Sequence, residues 1–248
     1  MTLLMTAVPA GVVIHAYCVE EGLNKPKSLI KLFIKVSGMS YFVKELFYTL
    51  QGEGTHAGRP AVFCRFSGCN LWSGREEHRA TAICKFCDTD FVGTDGPGGG
   101  KFKTPAELVQ AIREAWGQSE EAPFLVCTGG EPLLQLDEPL VEALKGDAIE
   151  IAIETNGTII PPLGIDWVCV SPKAGSDCLL KTGDELKVIF PQPGAEPELF
   201  TDWDFDQFFI QPMDNESRTE NTQLAIEYCL ANPQWKLSLQ THKILEIP

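Results

Sequence analysis

Positive charge is scarce in this chain: 20 lysines and arginines stand against 34 aspartates and glutamates, for a formal charge of −14 at pH 7. So acidic a surface excludes a protein whose main work is gripping nucleic acid or an anionic membrane, because both need a dense cationic face. It does not exclude an anionic small ligand, which one well-placed arginine can hold. Long apolar runs are also missing. The apolar stretch at residues 2–14 is interrupted by Pro9 and Gly11 and has no basic flank. A bilayer span needs roughly twenty residues and a secretory signal needs a basic start, so neither is expected. Cysteine, at nine residues in 248, is too sparse for a disulfide-built scaffold, and an odd number cannot all pair. A reducing cytoplasm, with some thiolates given to a metal, is the expectation. The length, 44% hydrophobic content and 22% charged content describe a globular protein with room for a sizeable core.

Short apolar runs alternate with helical patterns from residue 39 onward, the sign of a parallel α/β sheet. Strands are expected at Ala61–Phe66, Phe124–Cys127, Glu150–Ile153, Trp167–Val170, Leu186–Ile189 and Phe208–Ile210. A helix should begin after Thr104, where Thr104 and Glu107 form a capping box and Pro105 suits the first turn. Further helices are expected at Leu133–Leu144 and Asn221–Ala231, and the glycine-rich Gly93–Gly100 reads as a mobile connection. Six parallel strands with about three helices fall short of eight β/α units, so a partial, open β/α barrel is expected. Residues 39–248 form the expected domain. Residues 1–38 read as an upstream start or an extension outside the fold.

Cys69, Cys84 and Cys87 form a C-x14-C-x2-C pattern directly after the first of these strands. A C-x2-C pair brings two sulfurs to one centre from a single turn, which suits an iron–sulfur cluster. Three sulfurs around four irons leave one iron open to chemistry. With Cys64 added, the same residues make an all-cysteine zinc set. Cys64, however, lies in the run AVFCRF, where it and Phe66 should face away from Phe63 and Arg65.

The segments RFSGCNLW (Arg65–Trp72) and CKFCDTDF (Cys84–Phe91) resemble radical S-adenosylmethionine (SAM) enzymes. With LQGEG, TGGEP, ETNGT, SPK, QPMD and the tail segment LQTHK in this order, the chain resembles the 7-carboxy-7-deazaguanine synthase family over roughly residues 39–248. The common radical SAM spacing is C-x3-C-x2-C; here fourteen residues, Asn70–Ile83, separate the first two cysteines, an expanded cluster loop. The resemblance implies a lyase of queuosine and 7-deazapurine biosynthesis. It converts 6-carboxy-5,6,7,8-tetrahydropterin to 7-carboxy-7-deazaguanine with loss of ammonia.

The resemblance further implies a [4Fe-4S] cluster on Cys69, Cys84 and Cys87, whose open iron binds the amino and carboxylate groups of SAM. The protein orients the resulting 5′-deoxyadenosyl radical, and the cofactor supplies the difficult chemistry. Phe86, Asp88, Gly130, Ser171, Pro172, Lys173, Gln211, Pro212, Met213 and Asp214 fall to SAM. Leu50, Gln51, Gly52, Glu53, Arg65, Thr128 and the terminal carboxylate of Pro248 fall to the pterin, with Arg65 offering a planar fork to its carboxylate. Thr89 is assigned to Mg²⁺, which prefers oxygen ligands and keeps some waters. Glu154 and Asn156 are the candidate catalytic pair, positioning substrate or handling protons. A flavodoxin or ferredoxin as electron donor and a homodimeric state complete the expectation.

Without the resemblance several of these residues read more blandly: Gly129-Gly130 as a tight turn, Lys173 and Asp214 as solvated surface charges. Two other functions fit parts of the pattern. A radical SAM activase that installs a glycyl radical on a partner protein would share the cysteines but has no use for LQGEG and LQTHK. A zinc-stabilised binding module would be colourless and indifferent to SAM. The native protein is expected to begin at Met39, and intact mass measurement checks this: a chain that retains Met1 overturns the assignment.

Overall fold

In the computed structural model, which describes residues 40–248, the chain builds one nine-stranded sheet. The strands are β1 (Tyr41–Leu50), β2 (Pro60–Phe66), β3 (Gly100–Phe102), β4 (Phe124–Gly129), β5 (Glu150–Thr155), β6 (Trp167–Val170), β7 (Thr182–Phe190), β8 (Asp204–Pro212) and β9 (Lys236–Leu237). Their order is β3-β1-β2-β4-β5-β6-β7-β8-β9. β1 runs antiparallel to β2 and β3, and every pairing from β2 through β9 is parallel. The sheet does not close on itself, since β3 and β9 lie at opposite edges. This is the expected partial β/α barrel: β2 and β4 to β8 are the six expected strands, and the two-residue β9 adds a seventh parallel one. The reading of residues 1–38 lies outside the described residues.

Side-chain alternation sorts the strands into an outer and an inner face. On the outer face Val62, Cys64, Phe66, Leu125, Cys127, Ile151 and Ile153 pack with Leu108, Ile112, Leu140, Val141 and Leu144. Those partners come from α1 (Pro105–Trp116) and α2 (Glu138–Gly146). A second outer cluster joins Leu186, Val188 and Ile210 of β7 and β8 to Ala225 of α3 (Arg218–Ala231). On the inner face the lower end is filled by Phe124, Val126 and Ala152, with Phe63 and Trp167 against them. The next inner positions toward the carboxyl ends are Arg65, Thr128 and Glu154, and Arg65 is the register partner of Thr128. Apolar floor and polar mouth thus come from the same strands, two residues apart.

Thr104 accepts the Glu107 amide at 3.2 Å, and the Glu107 carboxylate returns to the Lys103 amide at 2.6 Å, so α1 starts as expected. Two expectations fail. Leu133–Leu144 is not one helix but a 3₁₀ turn at Pro132–Leu134 followed by α2. The break comes at Asp137, whose carboxylate caps the Leu140 amide at 3.1 Å while also taking the Tyr41 hydroxyl at 2.8 Å; Pro139 then lacks the amide that a continuing helix would need. Gly93–Gly100 is likewise not a loose connection. Its backbone is bonded to β1, with the Gly96 amide on the Lys44 carbonyl at 2.9 Å and the Leu46 amide on the Pro97 carbonyl at 2.8 Å. No helix among the described residues is long and apolar enough to cross a membrane.

Asp137 does two jobs, so its removal should cost more than removal of a simple cap. Thr104→Ala should lose about 1 kcal/mol. Asp137→Ala should lose about 2–3 kcal/mol, since the Tyr41 hydroxyl is stranded as well. Urea unfolding midpoints of the two variants check the order.

Candidate active site

The carboxyl ends of the parallel strands surround a cleft of about 380 Å³, within the range of small-ligand sites. Every residue expected in the site lines it except two. Pro172 is turned away: it is buried, and its carbonyl accepts from the Gln192 amide at 3.4 Å. Cys69 sits just behind the cleft wall. A Cβ built on Gly130 would meet the Gly68 carbonyl oxygen at 2.0 Å and the Cys69 Cβ at 2.9 Å. The second glycine of TGGEP is therefore required by the packing of the first cysteine's loop, and the tight-turn reading misses that.

Cys84 and Cys87 line the cleft, and the three thiols are close enough for each other's charge to be felt. Burial pushes the Cys69 and Cys84 thiols up, so thiolates here need a cation beside them, which iron supplies. The Cys69 sulfur also accepts the Leu71 amide at 3.4 Å. The fourth zinc ligand is missing from this corner. Cys64 is fully buried in the outer core and paired in register with Cys127, so the sulfur would have to leave the core and cross the sheet to join the set. Three soft sulfurs without a fourth fit a [4Fe-4S] cluster with an open iron.

Close to Cys84 and Cys87, Lys173 is half-buried and donates to the Ser171 carbonyl at 2.6 Å and hydroxyl at 2.7 Å. Burial lowers its pKa, against the pull of Cys84 and Cys87. It is not the solvated charge of the bland reading. Asp88 and Asp214 both receive the ammonium of Lys243. Arg65 donates its Nε to Glu45 at 2.6 Å, which fixes the fork at the cleft wall.

The deep end of the cleft holds a buried charge network. Lys187, 5% exposed at its side chain, meets Glu53 at 2.5 Å and Glu154 at 3.5 Å. Glu154 also accepts the Gln51 amide at 3.1 Å and the Thr128 hydroxyl at 3.2 Å. Burial by itself would strip the Lys187 proton, but Glu154 and Glu53 hold the ammonium well above the usual lysine range. Burial would also raise the Glu53 carboxyl; Lys187 and the Gln240 amide pull it down to about 2 instead. Asn156 is anchored from behind. Glu131, fully buried, accepts the Asn156 amide at 2.8 Å, the Thr155 hydroxyl at 2.8 Å and the Leu133 amide at 3.1 Å. One carboxylate thereby ties the tip of β4 to the tip of β5.

Sequence reasoning missed Lys187, Glu131, Glu45, Gln240, His242 and Lys243. For Lys187 a signal existed: a lysine amid ELKVIF belongs to a strand with no polar neighbour on its flanks. Gln240, His242 and Lys243 belong to the quoted tail segment, yet their place over the cleft depends on α4 (Thr241–Leu245) folding back. The Thr241 amide reaches the Gly52 carbonyl at 3.0 Å, and the Thr49 hydroxyl reaches the Pro248 carbonyl at 3.1 Å.

Residues 78–183 match the radical SAM superfamily. Over 210 residues, 85% of this chain and the whole of each relative, the chain is 58% identical to 7-carboxy-7-deazaguanine synthase from Caulobacter vibrioides and 60% identical to that from Burkholderia multivorans. The chain belongs to the 7-carboxy-7-deazaguanine synthase family. Its fold matches the crystal structure of QueE from Escherichia coli with a TM-score of 0.61 at 27% identity, covering 81% of this chain and 93% of that one. As a radical SAM lyase of this family it uses a [4Fe-4S] cluster and SAM, and the activase and zinc-module readings fall away.

Lys187 carries the inner end of this synthase's cleft. Glu53 titrates near 2 folded against 4.5 in the open chain, so its stabilising contribution is fully present above about pH 4.5 and drains away as pH falls toward 2. Lys187→Met leaves two buried carboxylates without a cation and should cost about 3–5 kcal/mol near neutrality. The deficit should shrink on acidification, as Glu53 becomes neutral. Urea unfolding across pH 3 to about 8 measures both effects.

Proposed function

We propose that the synthase reaction, 6-carboxy-5,6,7,8-tetrahydropterin to 7-carboxy-7-deazaguanine with release of ammonia, takes place in this cleft with the residues divided by its two ends. The observation that carries the division is the grouping of charges in the lining: Lys173 lies in the field of Cys84 and Cys87, while Lys187 is paired with Glu53 and Glu154. Cys69, Cys84 and Cys87 hold the cluster. Phe86, Asp88, Gly130, Ser171, Lys173, Gln211, Pro212, Met213 and Asp214 shape the SAM side, with Pro172 acting through the backbone of its loop. When bound, the reduced cluster and SAM supply a 5′-deoxyadenosyl radical.

The chain's own part is to bind, orient and exclude. Arg65, its Nε held by Glu45, turns its remaining amino groups to the pterin carboxylate, and Thr89 would offer its hydroxyl to Mg²⁺, a cation that favours oxygen ligands and would offset negative charge in the site. Leu50, Gln51, Gly52 and Thr128 border the bicycle, and Glu53 takes the amino edge. Pro248 brings its terminal carboxylate over the mouth. Glu154, bonded to Lys187, Gln51 and Thr128, is the group through which a proton moves at the reacting ring, and Asn156 positions it from the neighbouring tip. The reductant is proposed to be a flavodoxin or ferredoxin, and the enzyme a cytoplasmic homodimer. The free state of every described cysteine supports a reducing compartment, and the net charge of −14 disfavours a nucleic-acid partner.

Anaerobically reconstituted protein, given SAM, reductant, Mg²⁺ and 6-carboxytetrahydropterin, should form 7-carboxy-7-deazaguanine and ammonia. Bound zinc without sulfide, or no product from an intact cluster, sinks the reading. Arg65→Ala should raise the pterin KM by roughly 10- to 100-fold, the loss of a charge-assisted pair. One residue added after Pro248 should weaken pterin binding in the same direction. Omitting Mg²⁺ should also raise KM.

A further inference from the structure

The two ends of the cleft are joined by one polar chain that runs through the tail. Gln240 donates its amide nitrogen to Glu53 at 3.1 Å and accepts the Lys243 ammonium on its amide oxygen at 3.1 Å. Lys243 continues to Asp88 at 2.6 Å and to Asp214 at 2.5 Å. Asp88 follows the last cluster cysteine and Asp214 ends the loop after β8. Glu53 stands at the opposite end, on Lys187. The same helical turn grips Gly52, whose carbonyl takes both the amide and the hydroxyl of Thr241, at 3.0 and 2.8 Å. A Cβ on Gly52 would collide with the His242 ring at 2.3 Å, so tail and LQGEG turn fit only with a bare backbone there.

We propose that Gln240 and Lys243 form a clasp that couples the pterin half of the cleft to the SAM half, so that each ligand binds more tightly when the other is present. Lys243 and its partners are part-exposed, 31% against 41% and 25%, and ion pairs of that kind contribute little to stability. Their consequence is positional. With the clasp closed, Asp88 and Asp214 are held on the same cation, and the tail that holds Gly52 and Glu53 cannot move without them. Pterin on Gly52 and Glu53 favours the closed tail, and the closed tail presents Asp88 and Asp214 to SAM. Lys243 and Gln240 are therefore positioning residues. The coupling must be reciprocal, because each ligand biases the same closed arrangement.

The inference rests on the division of the cleft proposed above, and equilibrium binding separates the two. The full-length protein with its cluster oxidised and no reductant present binds ligands without turnover. SAM affinity is measured by anaerobic equilibrium dialysis with and without 6-carboxytetrahydropterin, and pterin affinity with and without SAM. The wild-type protein should bind each ligand about tenfold tighter in the presence of the other, within the roughly 5- to 150-fold span of such couplings. Lys243→Met and Gln240→Leu should reduce the factor to about twofold or less, and Lys243→Arg should restore most of it. Thermal unfolding of the variants checks that the fold is kept. Coupling that survives in both Lys243→Met and Gln240→Leu overturns the clasp and leaves the site division standing. Wild-type protein that binds both ligands independently overturns the clasp as well. Wild-type protein that binds neither overturns the site division and the clasp together.

Discussion

A lysine ammonium taken out of water is tolerated only where carboxylates close around it, and Lys187 sets the deep end of this cleft by that rule. Its two partners come from distant places, Glu53 from the turn after β1 and Glu154 from β5. Each is bound to further groups: Glu53 to Gln240 of the tail, Glu154 to Gln51 and Thr128. The cation therefore assembles four segments that share no local sequence. It also leaves this part of the cleft net acidic, suited to hydrogen-bond-donating groups, while Arg65 offers a positive charge from β2. A net charge of −14 and recognition of an anionic substrate are reconciled by placing the few cations where the ligand's charge lies.

The strand alternation that creates this arrangement also separates the cysteines into core and loop positions. Cys64 and Cys127 lie on outward positions of neighbouring strands and are sealed into the core. Burial drives both thiols toward the protonated form, and both lie at 0% exposure in the outer core, away from the cleft. Cys69, Cys84 and Cys87 come from loops beyond strand ends, where backbone is free to aim them together.

Two carboxylates, Glu131 buried and Asp137 part-buried, have structural tasks that resemble catalytic ones in sequence. Glu131, inside TGGEP, accepts three hydrogen bonds at the tips of β4 and β5. Asp137 divides a helix in two while holding Tyr41. Neither touches the cleft. Their neighbours Thr128, Gly130 and Asn156 do, and they are held in place because these carboxylates are occupied elsewhere. The tail adds the last wall: it is short, and its sequence is unremarkable as a helix, so only its bonds to Gly52, Glu53, Asp88 and Asp214 keep it over the mouth.

By itself the sequence determined the parallel order of six strands, the start of α1 at Thr104 and the outward turn of Cys64. These depend on period-two alternation and short-range capping, which operate within a few residues. The spaced segments LQGEG, CKFCDTDF, TGGEP, ETNGT, SPK and QPMD likewise marked about two thirds of the cleft lining, because ligands of an α/β sheet collect at carboxyl strand ends. Tertiary structure alone decided the rest: that Lys187 is a buried cation and not a strand surface charge, that Gly93–Gly100 is strapped to β1, and that Gln240 and Lys243 reach both ends of the cleft. Each depends on partners between 29 and 187 residues away. Burial and charge pairing over such separations are properties of the folded chain; a local pattern such as the lysine amid ELKVIF flags the residue but does not name its partners.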